Sequence, residues 1–191
     1  MDLLFILNSL LLGAGLAMDA FSVSLANGLN EPDMRPFKLT AIAGTFAFFQ
    51  ALMPLTGWIC VKTVVGHFTK LSAAVPWIAL LLLLYIGGEM LFEGLKPGNG
   101  SESTYRLTPK KLFIQGIATS IDALSVGFTI ADHSAAMAAV CSLIIAGVTF
   151  IICLCGLMTG RKFGTHLSGK ASVLGGIILI GIGIEIFVTN I

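Results

Sequence analysis

The 191 residues carry a formal net charge of +1, and 56% of them are hydrophobic against 11% charged, with a mean hydropathy of +0.96. A soluble domain carries roughly 25% charged residues, so this chain lacks the polar surface that water demands, and its length suits one compact domain. That balance excludes a water-soluble enzyme or nucleic-acid-binding module and leaves an all-α bundle in a lipid bilayer.

A bilayer core of about 30 Å takes around 20 helical residues to cross, and six apolar stretches have that length: 3–26, 39–61, 71–91, 112–131, 135–158 and 171–189. Strands of a membrane barrel are half as long and alternate polar with apolar residues, so the spans are read as helices. The first, opening Met1-Asp2-Leu3-Leu4, has no basic leader and holds Asp19 inside its apolar run. It is a poor signal peptide and is expected to stay in the mature protein. Cys60, Cys141, Cys153 and Cys155 all sit in apolar runs and serve as small apolar filler. The connectors carry the punctuation, with Asn30-Glu31-Pro32-Asp33 after the first span and Lys96-Pro97-Gly98-Asn99-Gly100 after the third.

Nine of the eleven basic residues (Arg35, Lys38, Lys96, Arg106, Lys110, Lys111, Arg161, Lys162, Lys170) fall in the loops after the first, third and fifth spans. Only Lys62 and Lys70 lie on the other side. Basic loops stay cytoplasmic, which places both termini outside.

The chain also repeats itself. Met18-Asp19-Ala20-Phe21-Ser22-Val23 in the first span matches Ile121-Asp122-Ala123-Leu124-Ser125-Val126 in the fourth. Thr56-Gly57-Trp58 matches Cys155-Gly156-Leu157, and Ile86-Gly87-Gly88-Glu89 matches Ile182-Gly183-Ile184-Glu185. Three spans per half is an odd number, so the second half enters the membrane from the opposite side. The expected fold is a single transmembrane domain, a 3+3 inverted repeat of residues 1–95 and 111–191 joined by a cytoplasmic connector, 96–110. Secondary transporters are built this way, with the substrate site near the midplane.

Asp19 and Asp122 fall near the middle of their spans. An aspartate there costs roughly 2.5–3.5 kcal/mol on insertion scales and as a rule faces the bundle interior with a function; the structural alternative is a protonated Asp bridging two helices. Gly15, Asp19, Ser22 and Ala26 share one helical face, as do Ala118, Asp122, Ser125 and Thr129, and small residues let such faces approach. None of the six spans holds a Lys or Arg, so the membrane acids are either protonated or hold a mobile cation. A divalent ion between Asp19 and Asp122 balances their charge. Ser22, Ser125, Gln50, Thr119 and Ser120 add oxygen donors suited to a hard cation such as Mn²⁺, Mg²⁺ or Ca²⁺. Met18 either contributes a thioether or faces lipid. Glu89 and Glu185, near opposite membrane faces, are candidates to relay ions, and Glu93 lies one turn beyond Glu89; Glu89 and Glu93 can equally snorkel to water.

The chain resembles the bacterial manganese efflux pump family, MntP, within the lysine-exporter-like transporter superfamily. The residues that carry this are Gly15-Leu16-Ala17-Met18-Asp19-Ala20-Phe21, the run Ala118 to Gly127 around Asp122, Pro54-Leu55-Thr56-Gly57-Trp58, Gly87-Gly88-Glu89-Met90-Leu91-Phe92-Glu93-Gly94, and the glycine-rich run Gly175 to Gly183. The resemblance implies a cytoplasmic-membrane exporter of Mn²⁺, with Asp19 and Asp122 as the family's membrane acids and Glu93 as the acid of its third-helix pattern. Mn²⁺ is then the substrate, with no cofactor, no nucleic acid and no specified oligomer. With no GxxxxGK[ST] nucleotide motif, transport is expected to be secondary. Moving two charges outward against 100 mV costs about 4.6 kcal/mol, and proton antiport is the expected offset, carboxylates emptied of metal taking protons back. The rivals are export of another divalent cation or of a basic amino acid. An intramembrane aspartyl protease would show Gly-x-Gly-Asp, and neither aspartate here is preceded by it.

Overall fold

The computed structural model describes residues 3–63, 77, 80–81, 84–88, 91–92, 95, 107–131, 133–167 and 171–189. They form helices α1 (Leu3–Asn30), α2 (Pro36–Thr63), α3 (Pro109–Ala118), α4 (Ala123–Thr129), α5 (Ala135–Leu167) and α6 (Ala171–Thr189), with no strand among them. Three are long and apolar enough to cross a membrane uninterrupted: Leu3–Asn30, Pro36–Lys62 and Ala135–Phe163. The third expected span lies mostly outside the described residues.

Local chemistry sets the helix ends. Pro36 and Pro109 open α2 and α3, where the missing N–H has no intrahelical partner to lose. Thr108 caps α3, its hydroxyl accepting from the Lys111 amide, and Ser134 accepts from the Met137 amide at the start of α5. The five residues between α1 and α2 are stapled twice. Lys38 Nζ lies 2.6 Å from a Glu31 carboxylate oxygen, and Arg161 Nε, on α5, donates to the Pro32 carbonyl at 2.7 Å.

Lipid is as apolar as leucine, so helices here associate through close contact. α1 has its most extensive contact with α5, and α2 packs on α5 and α4. The chain achieves this with glycine. A Cβ on Gly160 would strike the Leu25 carbonyl and come within 2.9 Å of Gly28 Cα. One on Gly127 would lie 2.6 Å from Gly57 Cα. Contacts advance together along both pairs, Gly13 with Ile145 and then Gly28 with Gly160, and Phe49 with Gly116 and then Gly57 with Gly127, so α1 runs parallel to α5 and α2 to α3 and α4. Gly87 of the third span crosses α6 at Gly176. The buried core combines residues of α1 and α2 such as Val23, Ile42 and Phe46 with Ile86 and with Cys153, Leu157 and Leu179 of α5 and α6.

The fourth span departs from the expected continuous helix. It breaks at 119–122, between α3 and α4. Within the break Thr119 Oγ1 donates back to the Gln115 carbonyl at 2.9 Å, and Asp122 Oδ1 accepts from the Ala123 amide at 2.8 Å. Side chains that bond their own backbone compete with the helical ladder. The backbone through the break makes tighter i to i+3 bonds, Ser120 N to Ile117 O and Ser125 N to Asp122 O.

Candidate metal-binding site

α1 carries Asp19 on an unbroken stretch of helix, half-buried, with Ser22 half-buried one turn further on. Ser22 Oγ donates to the Met18 carbonyl at 3.1 Å. Asp122 stands at the end of the break, also half-buried. The two carboxylates lie close enough for their charges to repel one another. Their helices are held in register from one end. Asn27 Nδ2 donates to Gln115 Oε1 at 2.9 Å, and Gln115 Nε2 donates back to Asn27 Oδ1 at 3.3 Å. Both side chains are fully buried. At about 1.5 Å per helical residue, Asp19 lies roughly 12 Å along α1 from that amide pair.

The oxygen donors expected to join the acids differ in burial and in bonding. Gln50, fully buried on α2, donates to the Leu16 carbonyl at 2.8 Å, and its own Oε1 is buried without a hydrogen-bond partner. Ser120 Oγ, in the break, is likewise buried and unpartnered. Buried polar atoms are nearly always bonded, so these two oxygens are available to a guest. Thr119 is buried but spends its hydroxyl on the α3 backbone. Ser125 is exposed.

Met18 does not join them. It is 60% exposed, because adjacent residues on a helix point about 100° apart and Asp19 takes the inward direction. Glu89 and Glu93 lie outside the described residues, and Glu185 lies on α6. The crossing of the third span with α6 is symmetric: a Cβ on Gly87 would meet Gly176 and Ile180, and one on Gly176 would meet Gly87 and Leu91.

Among the described residues no three His, Cys, Asp or Glu side chains gather as a metal cluster. A cation at Asp19 and Asp122 would therefore complete its shell with amide, hydroxyl and carbonyl oxygens or water, the donor set of a hard or borderline divalent ion. Beside the acids, a cavity of about 640 Å³ is lined by Asn8, Leu11, Leu12, Gly15, Leu16 and Thr129. It reaches Gly15, one turn from Asp19, on the side away from the Asn27–Gln115 pair. That amide pair is absent from the sequence reading. Its signal was two uncharged amides near matched ends of apolar runs, one of them just past the expected end of the first span.

The family profile described as "Putative manganese efflux pump" matches residues 33–187. Proteins named "Putative manganese efflux pump MntP" are similar over nearly the whole chain. That of Methanosarcina mazei is 41% identical over 183 residues, 94% of each chain. That of Clostridium botulinum strain Loch Maree is 40% identical over 203 aligned positions, 100% of this chain and 98% of the relative. That of Sorangium cellulosum is 39% identical over 187 residues, 95% of each. No solved structure matches. The resemblance carried by the two aspartate motifs is borne out, and the chain belongs to the manganese efflux pump family, MntP, whose members are transporters and not enzymes.

Proposed function

We propose that the protein is a secondary exporter of Mn²⁺ in the cytoplasmic membrane of its cell, binding the metal between Asp19 and Asp122. The observation that carries this is the approach of two carboxylates from separate helices, with mutual repulsion, in spans that contain no lysine or arginine. A divalent cation is the ligand that turns that repulsion into attraction. Gln50 Oε1 and Ser120 Oγ, both buried without a partner, are candidates to add neutral oxygens, with Ser22 one turn from Asp19. The names of the relatives support manganese as the ion.

The layout we propose is a six-span inverted repeat, 1–95 and 111–191, with the connector and the basic loops in the cytoplasm. Its support is in the packing. The sequence match sets Asp19 against Asp122 and Gly57 against Gly156. In that register Gly13 corresponds to Gly116, and their Cβ positions meet Val148 and Phe49, which also correspond. Gly57 meets Leu124 and Gly127, while Gly156 meets Phe21 and Ser24, again corresponding positions. Three matched pairs of contacts that obey this alignment are what two copies of a unit related by a two-fold axis produce.

Protons drive the cycle in this reading. Export of Mn²⁺ alone works against the membrane potential, about 2.3 kcal/mol per charge per 100 mV, and Asp19 and Asp122, once emptied of metal, can take up protons in exchange. The test is flux in proteoliposomes holding the purified chain, with pH gradient and potential set independently and Mn²⁺, Cd²⁺, Ca²⁺ and lysine compared. The expected result is Mn²⁺ transport accelerated by an opposing proton gradient at fixed potential. Lysine transport without metal transport refutes the substrate, and indifference to the proton gradient refutes the coupling.

A further inference from the structure

The register that relates the two repeats also shows where they differ. Leu12, Gly15, Leu16 and Thr129 line the cavity. Their counterparts in the other repeat are Gln115, Ala118, Thr119 and Ala26, and all four are completely buried, at 0–1% exposure, while Lys111 and Ile114, the counterparts of the remaining lining residues Asn8 and Leu11, are half-buried. The same register maps the hydrogen-bonded pair Asn27–Gln115 onto Ile130 and Leu12. One end of the acid-bearing faces is therefore open where the other is shut. The open end is apolar, and the shut end is latched by two reciprocal amide bonds at 2.9 and 3.3 Å.

Two copies of one unit, inserted in opposite directions, can exchange conformations, and the exchange turns a cavity open to one side into a cavity open to the other. We propose that Asn27 and Gln115 form the cytoplasmic gate of the transport path, broken when the metal enters from the cytoplasm, and that Leu12 and Ile130 close the outer side in that opposite state. The inference rests on the transport reading above. The chemistry of the two gates suits their tasks. A bonded amide pair blocks a cation while shut, and once parted it offers two neutral oxygens, Asn27 Oδ1 and Gln115 Oε1, to an ion shedding its water. An apolar outer gate offers a released ion no ligand and so does not retain it.

The contacts at the shut end are those that must separate. Asn27 is one residue from Gly28, whose backbone meets Leu157 and Gly160 of α5. Gln115 is one residue from Gly116, which lies against the Phe49 ring. Opening therefore slides α1 along α5 and α3 along α2 at contacts that a glycine keeps smooth.

The experiment starts from the full chain with Cys60, Cys141, Cys153 and Cys155 changed to alanine, and its Mn²⁺ efflux in proteoliposomes tests the transport reading separately. Into that parent go Asn27→Cys and Gln115→Cys together. Oxidation to the disulfide is expected to lower efflux more than tenfold, with recovery on reduction, because the gate is then sewn shut. Efflux that continues with the disulfide formed overturns the proposal, since a static contact tolerates a crosslink. Two single variants, Gly15→Cys and Ala118→Cys, ask the same question without touching the amides. Gly15 has open space where a side chain would go. N-ethylmaleimide reacts with whichever thiol faces water, and saturating Mn²⁺ is expected to move the two labelling rates in opposite directions. Rates that move together, or neither of them moving, overturn the exchange even if the double variant is inert.

Discussion

The stretches Leu16-Ala17-Met18-Asp19 and Thr119-Ser120-Ile121-Asp122 align with one another in the sequence, yet one is continuous helix and the other is a break. Leucine and alanine leave the helical ladder undisturbed. Threonine in the corresponding place bonds back to Gln115, and the aspartate bonds the amide that follows it. One carboxylate is therefore borne on a rod and the other on a joint. The joint also holds the buried, unpartnered Ser120 hydroxyl.

The largest effect tests whether rod and joint serve one site. Asp19→Asn and Asp122→Asn each keep size and remove charge, and each is expected to abolish manganese tolerance with protein still in the membrane at near-normal level. Growth in manganese beside an immunoblot checks this. A double variant that exports at the wild-type rate refutes the site, and survival of one single variant alone would assign the metal to the other acid.

Next in size is conversion of the joint into a rod. Thr119→Leu with Ser120→Ala gives the fourth span the small and apolar residues of the first. Helix content should rise by about one turn, seen in circular dichroism, and efflux should fall roughly tenfold if the break couples binding to movement. Unchanged efflux would make the break incidental.

The packing can be probed with the same contrast. Gly127→Ala forces a methyl against the Pro54 carbonyl and Gly57 Cα, an overpacking that costs about 1–3 kcal/mol. Gly156→Ala, which meets the Phe21 carbonyl and Ser24, should cost a similar amount if the crossings are equivalent. Gly44→Ala meets nothing and should leave the melting temperature in detergent unchanged or raise it. Smallest of all, Ser22→Ala and Ser125→Ala should lower transport about two- to threefold, since water can replace a lost hydroxyl at a metal; Ser125, the more exposed of the two, should matter less. Initial rates of Mn²⁺ uptake into inverted vesicles resolve that difference.

The acids were legible in the sequence because an ionisable group in an apolar run is costly wherever it points. Lengths were legible too: α6 has the expected bounds, and α1, α2 and α5 extend their spans past the apolar limit into polar ends such as Asn27 and Arg161. Helical faces were harder to read. Bilayer and protein interior are equally apolar, so hydrophobic periodicity does not distinguish Met18, exposed, from Ala17, fully buried. The break escaped notice because Thr119 and Ser120 scarcely lower the apolarity of their window; what they change is which backbone bonds are made. The Asn27–Gln115 pair joins positions 88 residues apart, a relation that no local pattern carries.

The parallel pairing of α1 with α5 has a consequence for how the protein is made. α1 leaves the ribosome first, but its main partner, α5, begins at Ala135. Until then the first helix waits in the bilayer with Asp19 and its small-residue face uncovered, and the loop after it lacks the Arg161 bond to Pro32. Assembly is therefore governed from the end of the message: a nascent chain halted before α5 leaves an orphan helix with an acid in lipid, the kind of species that membrane quality control removes. Premature termination before α5 should lead to rapid proteolysis of the fragment, so incomplete bundles would not accumulate in the membrane.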